Sequence, residues 1–265
     1  MIDGGCMWGL RRPASQRRTG TMKRLEGKVA IVTGAARGLG AATAARLSAE
    51  GASVMLADII DGEATALALR EAGHQAAFVN MDVARREAWS DVLSDTASRF
   101  GGIDILVNNA GVFRPANIET IEMDDLLDVY GINLFGPLIG MQAVIPYMRE
   151  RGAGSIVNIA SNATSFIFPE SISYGSSKAA LASLTKTVAV HCGRQGYRIR
   201  ANSIHPGPHA TAMMGGDPSG LVQRIPLHRM GQPEDVAAAV AYLASDDAAF
   251  VTATELFIDG GMTVA

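Results

Sequence analysis

The sequence predicts one α/β domain over residues 23–265: a doubly wound parallel sheet of about seven strands with helices on both faces. Three observations carry this. Short, nearly continuous apolar runs alternate with helical stretches; the first run, Val29 to Val32, empties into glycines at 34, 38 and 40; and polar residues stand just beyond the ends of the runs. An uninterrupted apolar run marks a strand buried on both faces, which needs helices above and below it. With 265 residues, 48% of them hydrophobic, and no linker-like stretch, the chain can build a single large core.

The first strand feeds the turn Gly34 to Gly40, where glycines let the chain bend sharply and let a phosphate approach backbone N–H groups. Leu39 to Glu50 follows as an Ala-rich helix whose N-terminus faces that phosphate. Ala52 to Ala57 is the second strand and ends at Asp58, about twenty residues past the glycines, where a carboxylate accepts hydrogen bonds from ribose hydroxyls and repels a 2′-phosphate. That favours NAD over NADP. Arg37 beside the glycines could instead pair with the phosphate, and Asp58 could instead cap a helix over Asp61 to Ala72.

Ala76 to Asn80 is a third strand, followed by Asp82 and a helix over Arg85 to Phe100. Asp104 to Val107 is a fourth, ending in Asn108, Asn109, Ala110 and Gly111. Glu119 to Tyr130 and its apolar continuation form a long helix carrying Asn133. Ser155 to Ile159 is a fifth strand, with Ser161 just beyond; Ser173 to His191 is helical; Arg198 to Ile204 is a sixth strand; Pro233 to Ala244 is a helix; and Glu255 to Ile258 is the seventh strand. Thr33, Asp58, Asp82, Asn108, Ser161 and His205 all fall at strand ends, which in a parallel sheet share one edge and line one crevice.

Composition narrows the partners. A net charge of −3 gives no electrostatic case for nucleic acid, so small molecules are expected. Two cysteines, Cys6 and Cys192, make neither a disulfide framework nor a metal site and fit a reducing, cytoplasmic setting. Val129 to Met148 carries no charge, but Asn133, Gln142, Pro137, Pro146 and three glycines point to a core helix rather than a membrane span. Residues 1–22 carry Arg11, Arg12, Arg17 and Arg18 with Asp3 as their only acid; they read as a disordered leader or a start assigned upstream of Met22, with a transit peptide as the other reading.

The chemistry centres on Tyr174 and Lys178, which lie four apart and so share one helix face. An ammonium near a phenol favours the phenolate, letting Tyr174 exchange a proton with a substrate hydroxyl. Ser161 at its strand end could hydrogen-bond the same oxygen. An exposed helix pair is the other reading of that spacing.

Together, TGAARGLG at 33–40, Asp82, NNAG at 108–111, Asn133, Ser161, YGSSK at 174–178, HPG at 205–207 followed by Thr211, and IDGG at 258–261 resemble the short-chain dehydrogenases/reductases, from about Leu25 to the C-terminus. The resemblance implies a Rossmann fold and hydride transfer between a nicotinamide cofactor and a secondary alcohol or ketone. It implies roles for Tyr174 as acid/base, Ser161 as the group polarising the substrate oxygen, Lys178 as tuner of the tyrosine and binder of the nicotinamide ribose, and Asn133 as a helix kink holding a water that links Lys178 to solvent. The cofactor contacts it implies are Gly34, Arg37, Gly38, Leu39, Gly40, Asp58, Asp82, Val83, Asn109, Ala110, Gly111, Tyr174, Lys178, Pro206, Gly207 and Thr211, with Asn108 on the adenosine side. It also implies a homotetramer or homodimer. Ala253 stands where the family usually has a glycine, which puts that turn in question.

HCGRQGYRIRANSIHPG and NLFGPLIGMQAVIP are most similar to the bacterial hydroxysteroid and alicyclic alcohol dehydrogenases of this family. Phe113, Phe166, Phe168 and a lid-like Ala210 to Gly231 suit an apolar substrate, although each aromatic could equally be core; Arg114 is a candidate anchor for a carboxylate. The alternatives are a 3-oxoacyl-thioester reductase and, more remotely, a non-catalytic nucleotide-binding regulator.

Overall fold

A computed structural model describes residues 23–212 and 219–265. Residues 1–22, expected to be a leader or to precede the true start, and residues 213–218, within the segment expected to form a lid, lie outside the described residues. The strands are β1 (Val29–Thr33), β2 (Ser53–Asp58), β3 (Ala76–Asn80), β4 (Ile105–Asn108), β5 (Gly154–Ile159), β6 (Ile199–Pro206) and β7 (Glu255–Ile258). They form one parallel sheet in the order β3-β2-β1-β4-β5-β6-β7. The chain winds outward from β1 to β3, then returns to β4 beside β1 and winds the other way. The C-terminal ends of β1 and β4 therefore flank the point where an open α/β sheet leaves a crevice.

Side-chain alternation along each strand sorts the core into two layers. Ala30 and Val32 face one side with Val54, Leu56, Ile105 and Val107, while Ile31 faces the other with Met55, Leu106 and Ile156. Helices α1 (Gly38–Ala49), α2 (Glu63–Glu71) and α8 (Pro233–Ala244) cover the first layer. Helices α3 (Arg86–Phe100), α5 (Gly136–Glu150) and α6 (Ile172–Arg194) cover the second, and α4 (Met123–Tyr130) leads into α5. A short helix, α7 (Ser219–Val222), precedes α8.

The uncharged run is one continuous helical stretch, Met123–Glu150, long and apolar enough to cross a membrane by length and composition. Its inner face packs on the sheet instead: Val129, Met141, Val144 and Met148 are buried, and at Gly140 a Cβ would lie 2.4 Å from the indole of Trp89 on α3. Five residues within it, Gly131–Phe135, form a π-helical turn, so the expected long helix is interrupted at Asn133. Its start is Met123 rather than Glu119, because the Asn117 carboxamide oxygen holds the N–H groups of Glu119 and Thr120 in a turn.

Ala253 adopts φ 60°, the left-handed region, with its N–H donated to Ala201 O at 2.8 Å. The turn forms with an L side chain under strain of roughly 1 kcal/mol. Part of that is offset by the greater chain entropy glycine loses on folding. Ala253→Gly is expected to raise stability by about 0.5 kcal/mol, seen as a rise of about 1–2 °C in thermal unfolding; a lower midpoint would contradict the strain.

Candidate active site

The glycine turn after β1 is built to hold an anion. Gly34 (φ 63°) sits where a Cβ would come 2.8 Å from Ala110 Cα, and at Gly40 it would come 2.0 Å from the Gly34 carbonyl oxygen. Gly38 (φ 59°) faces open space bounded, among the described residues, by Thr211, 3.8 Å from where its Cβ would be. The first turn of α1 carries no side-chain cap and no acidic residue, so its N–H groups are left for an outside acceptor. These features fit the diphosphate of a dinucleotide.

The NNAG segment is stapled to that turn. Thr33 Oγ1 accepts from the N–H groups of Asn109 (3.0 Å) and Ala110 (3.1 Å), and Asn109 Nδ2 donates to the carbonyls of Thr33 and Gly34, both at 2.9 Å. Asn109 thus shapes the cradle with its side chain. Asn108 departs from expectation: its side chain donates to Asn158 Oδ1 at 2.8 Å, inside the sheet, because β4 and β5 pair with these two asparagines in register. It belongs to the core network Asn108–Asn158–Thr185 rather than to the adenosine side.

Asp58 closes the other flank. Its carboxylate accepts from Ala36 N–H at 2.9 Å and Ile60 N–H at 3.2 Å. It caps no helix; α2 starts at Glu63, whose N–H is held by Asp61. Arg37 is exposed and makes no ion pair among the described residues. Asp82 accepts from Ala84 N–H at 2.9 Å, and Val83 packs against Gly136 in the core with its carbonyl taken by Trp89. Gly207 lies so close to Asp259 that a Cβ would approach its Cα at 2.8 Å, which fixes the HPG and IDGG segments side by side.

Asn133, Ser161, Tyr174 and Lys178 converge on the same edge. Tyr174 hydrogen-bonds Ser161, and Ser161 Oγ also accepts from Ala163 N–H at 3.1 Å. Lys178 is buried, its Nζ donating to Ile159 O at 2.8 Å and lying 5.8 Å from the Tyr174 ring centroid. Asn133 accepts from Val112 N–H (2.9 Å) and donates to Val112 O (3.0 Å) and Ser177 Oγ (3.2 Å). At Gly111 a Cβ would come within 3.2 Å of both Asn133 Oδ1 and Lys178 Nζ, so the last glycine of NNAG is the gap through which the two groups meet.

The acidity of the tyrosine is set differently from what spacing suggests. Burial holds the phenol above its ordinary value, and the opposing pull comes from the Ser161 hydrogen bond rather than from the lysine. Lys178 itself is lowered to about 8 by burial, so it is charged at neutral pH and loses its charge as the pH rises past about 8.

Phe113 meets Tyr174 edge to face at 5.4 Å, and the rings of Phe166 and Phe168 lie 4.9 Å apart, tilted by 53°. Arg114 is held by Asp128 and lies 3.7 Å from Asp125, so its guanidinium is already engaged. Arg224, which sequence reasoning passed over, sits 4.6 Å above the Phe166 ring. Val112 and Ser177, the anchors of Asn133, were missed too; their backbone and hydroxyl groups leave no motif.

A family model described as enoyl-(acyl carrier protein) reductase matches residues 34–263. The chain is 40% identical over 248 residues to trans-4-hydroxycyclohexanecarboxylate dehydrogenase of Sinomonas cyclohexanicum, covering 91% of this chain and 94% of that one. It is 39% identical over 242 residues to 3-alpha-(or 20-beta)-hydroxysteroid dehydrogenase of Mycobacterium tuberculosis, covering 91% of each. A crystal structure provisionally assigned as a short-chain alcohol dehydrogenase from Sinorhizobium meliloti superposes with a TM-score of 0.86 at 32% identity, covering 92% of this chain and 99% of that one.

Proposed function

The chain belongs to the short-chain dehydrogenase/reductase family, oxidoreductases acting on CH–OH groups with a nicotinamide cofactor, and we propose from that premise that it is an NAD-dependent dehydrogenase of alicyclic secondary alcohols. One observation carries the reading: Ser161, Tyr174 and Lys178 converge beside an uncapped glycine cradle on a single sheet edge. The bound nicotinamide would supply the hydride acceptor, with Gly34, Gly38, Leu39 and Gly40 at its phosphates, Asp58 at the adenosine ribose, Asp82 and Val83 near the adenine, and Pro206, Gly207 and Thr211 near the carboxamide.

The protein's own groups do the proton chemistry. Ser161 Oγ, already accepting from Ala163 N–H, is free to donate its proton to the substrate oxygen. Tyr174, after giving its own proton up, takes the hydroxyl proton as the phenolate while the carbinol carbon is oxidised, and returns it from the phenol in the reverse direction. Lys178 and Asn133 stand behind the tyrosine, where a proton can be passed back to solvent. The Phe166–Phe168 pair and Phe113 exclude water and suit an apolar ring.

The acyl-thioester reductase alternative is disfavoured, because the relatives are alicyclic and hydroxysteroid alcohol dehydrogenases. Exposed apolar side chains on the α4–α5 stretch, Met123, Leu127 and Phe135, support a dimer or tetramer, and the cysteine usage supports a cytoplasmic setting.

The test is turnover of NAD⁺ or NADP⁺ with cyclohexanol, 4-hydroxycyclohexanecarboxylate and hydroxysteroids, followed by nicotinamide absorbance. Oxidation of cyclic alcohols with NAD⁺ supports the reading; activity confined to acyl-thioesters overturns it. For the cofactor, Asp58→Asn keeps an acceptor for Ala36 N–H but loses the charge, and is expected to raise kcat/KM for NADP⁺ relative to NAD⁺ by about tenfold or more. A wild type that already prefers NADP⁺ refutes this role for Asp58.

A further inference from the structure

We propose that His205 is a positioning residue for Ser161: the imidazole at the end of β6 clamps the Ser161 carbonyl and thereby aims the serine hydroxyl at Tyr174. This rests on the role of Ser161 proposed above and adds to it a residue that touches neither substrate nor cofactor.

The geometry is that of a fixed ring. His205 is fully buried and lies against Phe257, ring centroids 4.7 Å apart. Its Nδ1 is 3.0 Å from the Ser161 carbonyl oxygen and 3.1 Å from Thr164 Oγ1, whose hydroxyl donates to the same carbonyl at 3.0 Å. Its Nε2 is 3.0 Å from Ser203 Oγ. A carbonyl oxygen can only accept, so Nδ1 carries the proton and Nε2 accepts from the Ser203 hydroxyl. Both nitrogens of a neutral imidazole are then used, and the Ser161 carbonyl receives three donors among the described residues: the Thr164 N–H (3.3 Å) and hydroxyl from its own 3₁₀ turn, and His205 from β6, the donor that ties it to another strand.

The consequence reaches the acid/base group. Ser161 leaves β5 in an extended conformation (φ −166°), immediately before a turn of 3₁₀ helix over Asn162–Thr164. With its carbonyl held from β6 and its Oγ accepting from Ala163 N–H, the hydroxyl is positioned beside Tyr174, its proton available to the tyrosine oxygen and to a substrate oxygen placed between them. Burial makes the Tyr174 phenol a weaker acid and the Ser161 hydrogen bond opposes that, so a loosened Ser161 leaves burial unopposed. The charged groups facing this assembly are Lys178, beside Tyr174, and the Glu255–Lys186 pair, whose Glu255 Oε2 lies 3.9 Å from His205 Nε2. Burial keeps His205 below its usual value, in keeping with a neutral ring.

The experiment compares wild type, His205→Leu and His205→Asn for the pH dependence of kcat in alcohol oxidation, for cofactor affinity, and for the Tyr174 titration by carbon NMR of tyrosine-labelled protein. His205→Leu removes the N–H donor; His205→Asn keeps one near the Nδ1 position. The expected result is an acid limb and a Tyr174 titration displaced to higher pH in His205→Leu, with kcat reduced about tenfold, cofactor affinity within about twofold, and recovery in His205→Asn. An unmoved Tyr174 titration in His205→Leu, or an Asn variant as impaired as Leu, overturns the proposal. Should His205→Leu not fold, Thr164→Val, which removes the other side-chain donor from the same carbonyl, is judged by the same displacement. If the wild type oxidises no alcohol, it is the enzymatic reading that fails, and the NMR titration still decides the link from His205 to Tyr174.

Discussion

Tyr174→Phe is expected to reduce alcohol oxidation by about 10²–10⁴-fold or more while leaving cofactor affinity within about twofold. The substitution deletes one oxygen. The ring stays against Phe113, the glycine cradle is untouched, and Ser161 keeps its Ala163 contact. In the role proposed for Tyr174, what is lost is the group that exchanges a proton with the substrate, so the loss should fall on kcat rather than on binding. Fluorescence titration of the cofactor and steady-state kinetics separate the two, and a variant retaining a tenth of wild-type kcat would remove Tyr174 from the acid/base role.

Lys178→Met should abolish turnover and at the same time make the protein without cofactor more stable. Lys178 is buried with one carbonyl, Ile159 O, as its hydrogen-bond acceptor, and burial lowers its pKa to about 8, against roughly 10.4 for a free lysine. Below pH 8 the lysine is charged in both the folded and unfolded chains, so the full cost of burying the ammonium opposes folding. As pH rises from 8 toward 10.4, the folded protein gives up its proton first, that cost falls away, and stability increases. Two or so units correspond to about 3 kcal/mol, reduced by roughly 1 kcal/mol for the Ile159 carbonyl that methionine leaves without a donor. At pH 7 the variant should therefore gain about 1–3 kcal/mol in denaturant unfolding, and the gain should shrink at pH 9 to 10. A variant less stable than wild type at pH 7 would show that the buried charge carries no penalty. The expected trade of stability for a functional charge is the usual bargain of a catalytic site.

The sequence by itself determined the strands, their polar ends and the candidate catalytic residues, because each is recorded locally. Val29–Thr33 is a strand because it is apolar throughout, the glycines at 34, 38 and 40 allow the turn that follows, and Tyr174 and Lys178 share a face because they are one helical turn apart. Tertiary structure alone decided which way the remaining polar groups point. Asn108 turns into the sheet because β5 places Asn158 opposite it, and Asn109 spends its side chain on carbonyls 75 and 76 residues away. Arg114 is neutralised by Asp128 on the neighbouring helix, the phenol of Tyr174 answers to burial and Ser161 more than to its helical partner, and His205 reaches Ser161 across 44 residues. Those outcomes depend on which elements the sheet order sets side by side, and on how much water the packing removes around each group. Neither quantity has a period or a spacing along the chain, so no local pattern can carry it.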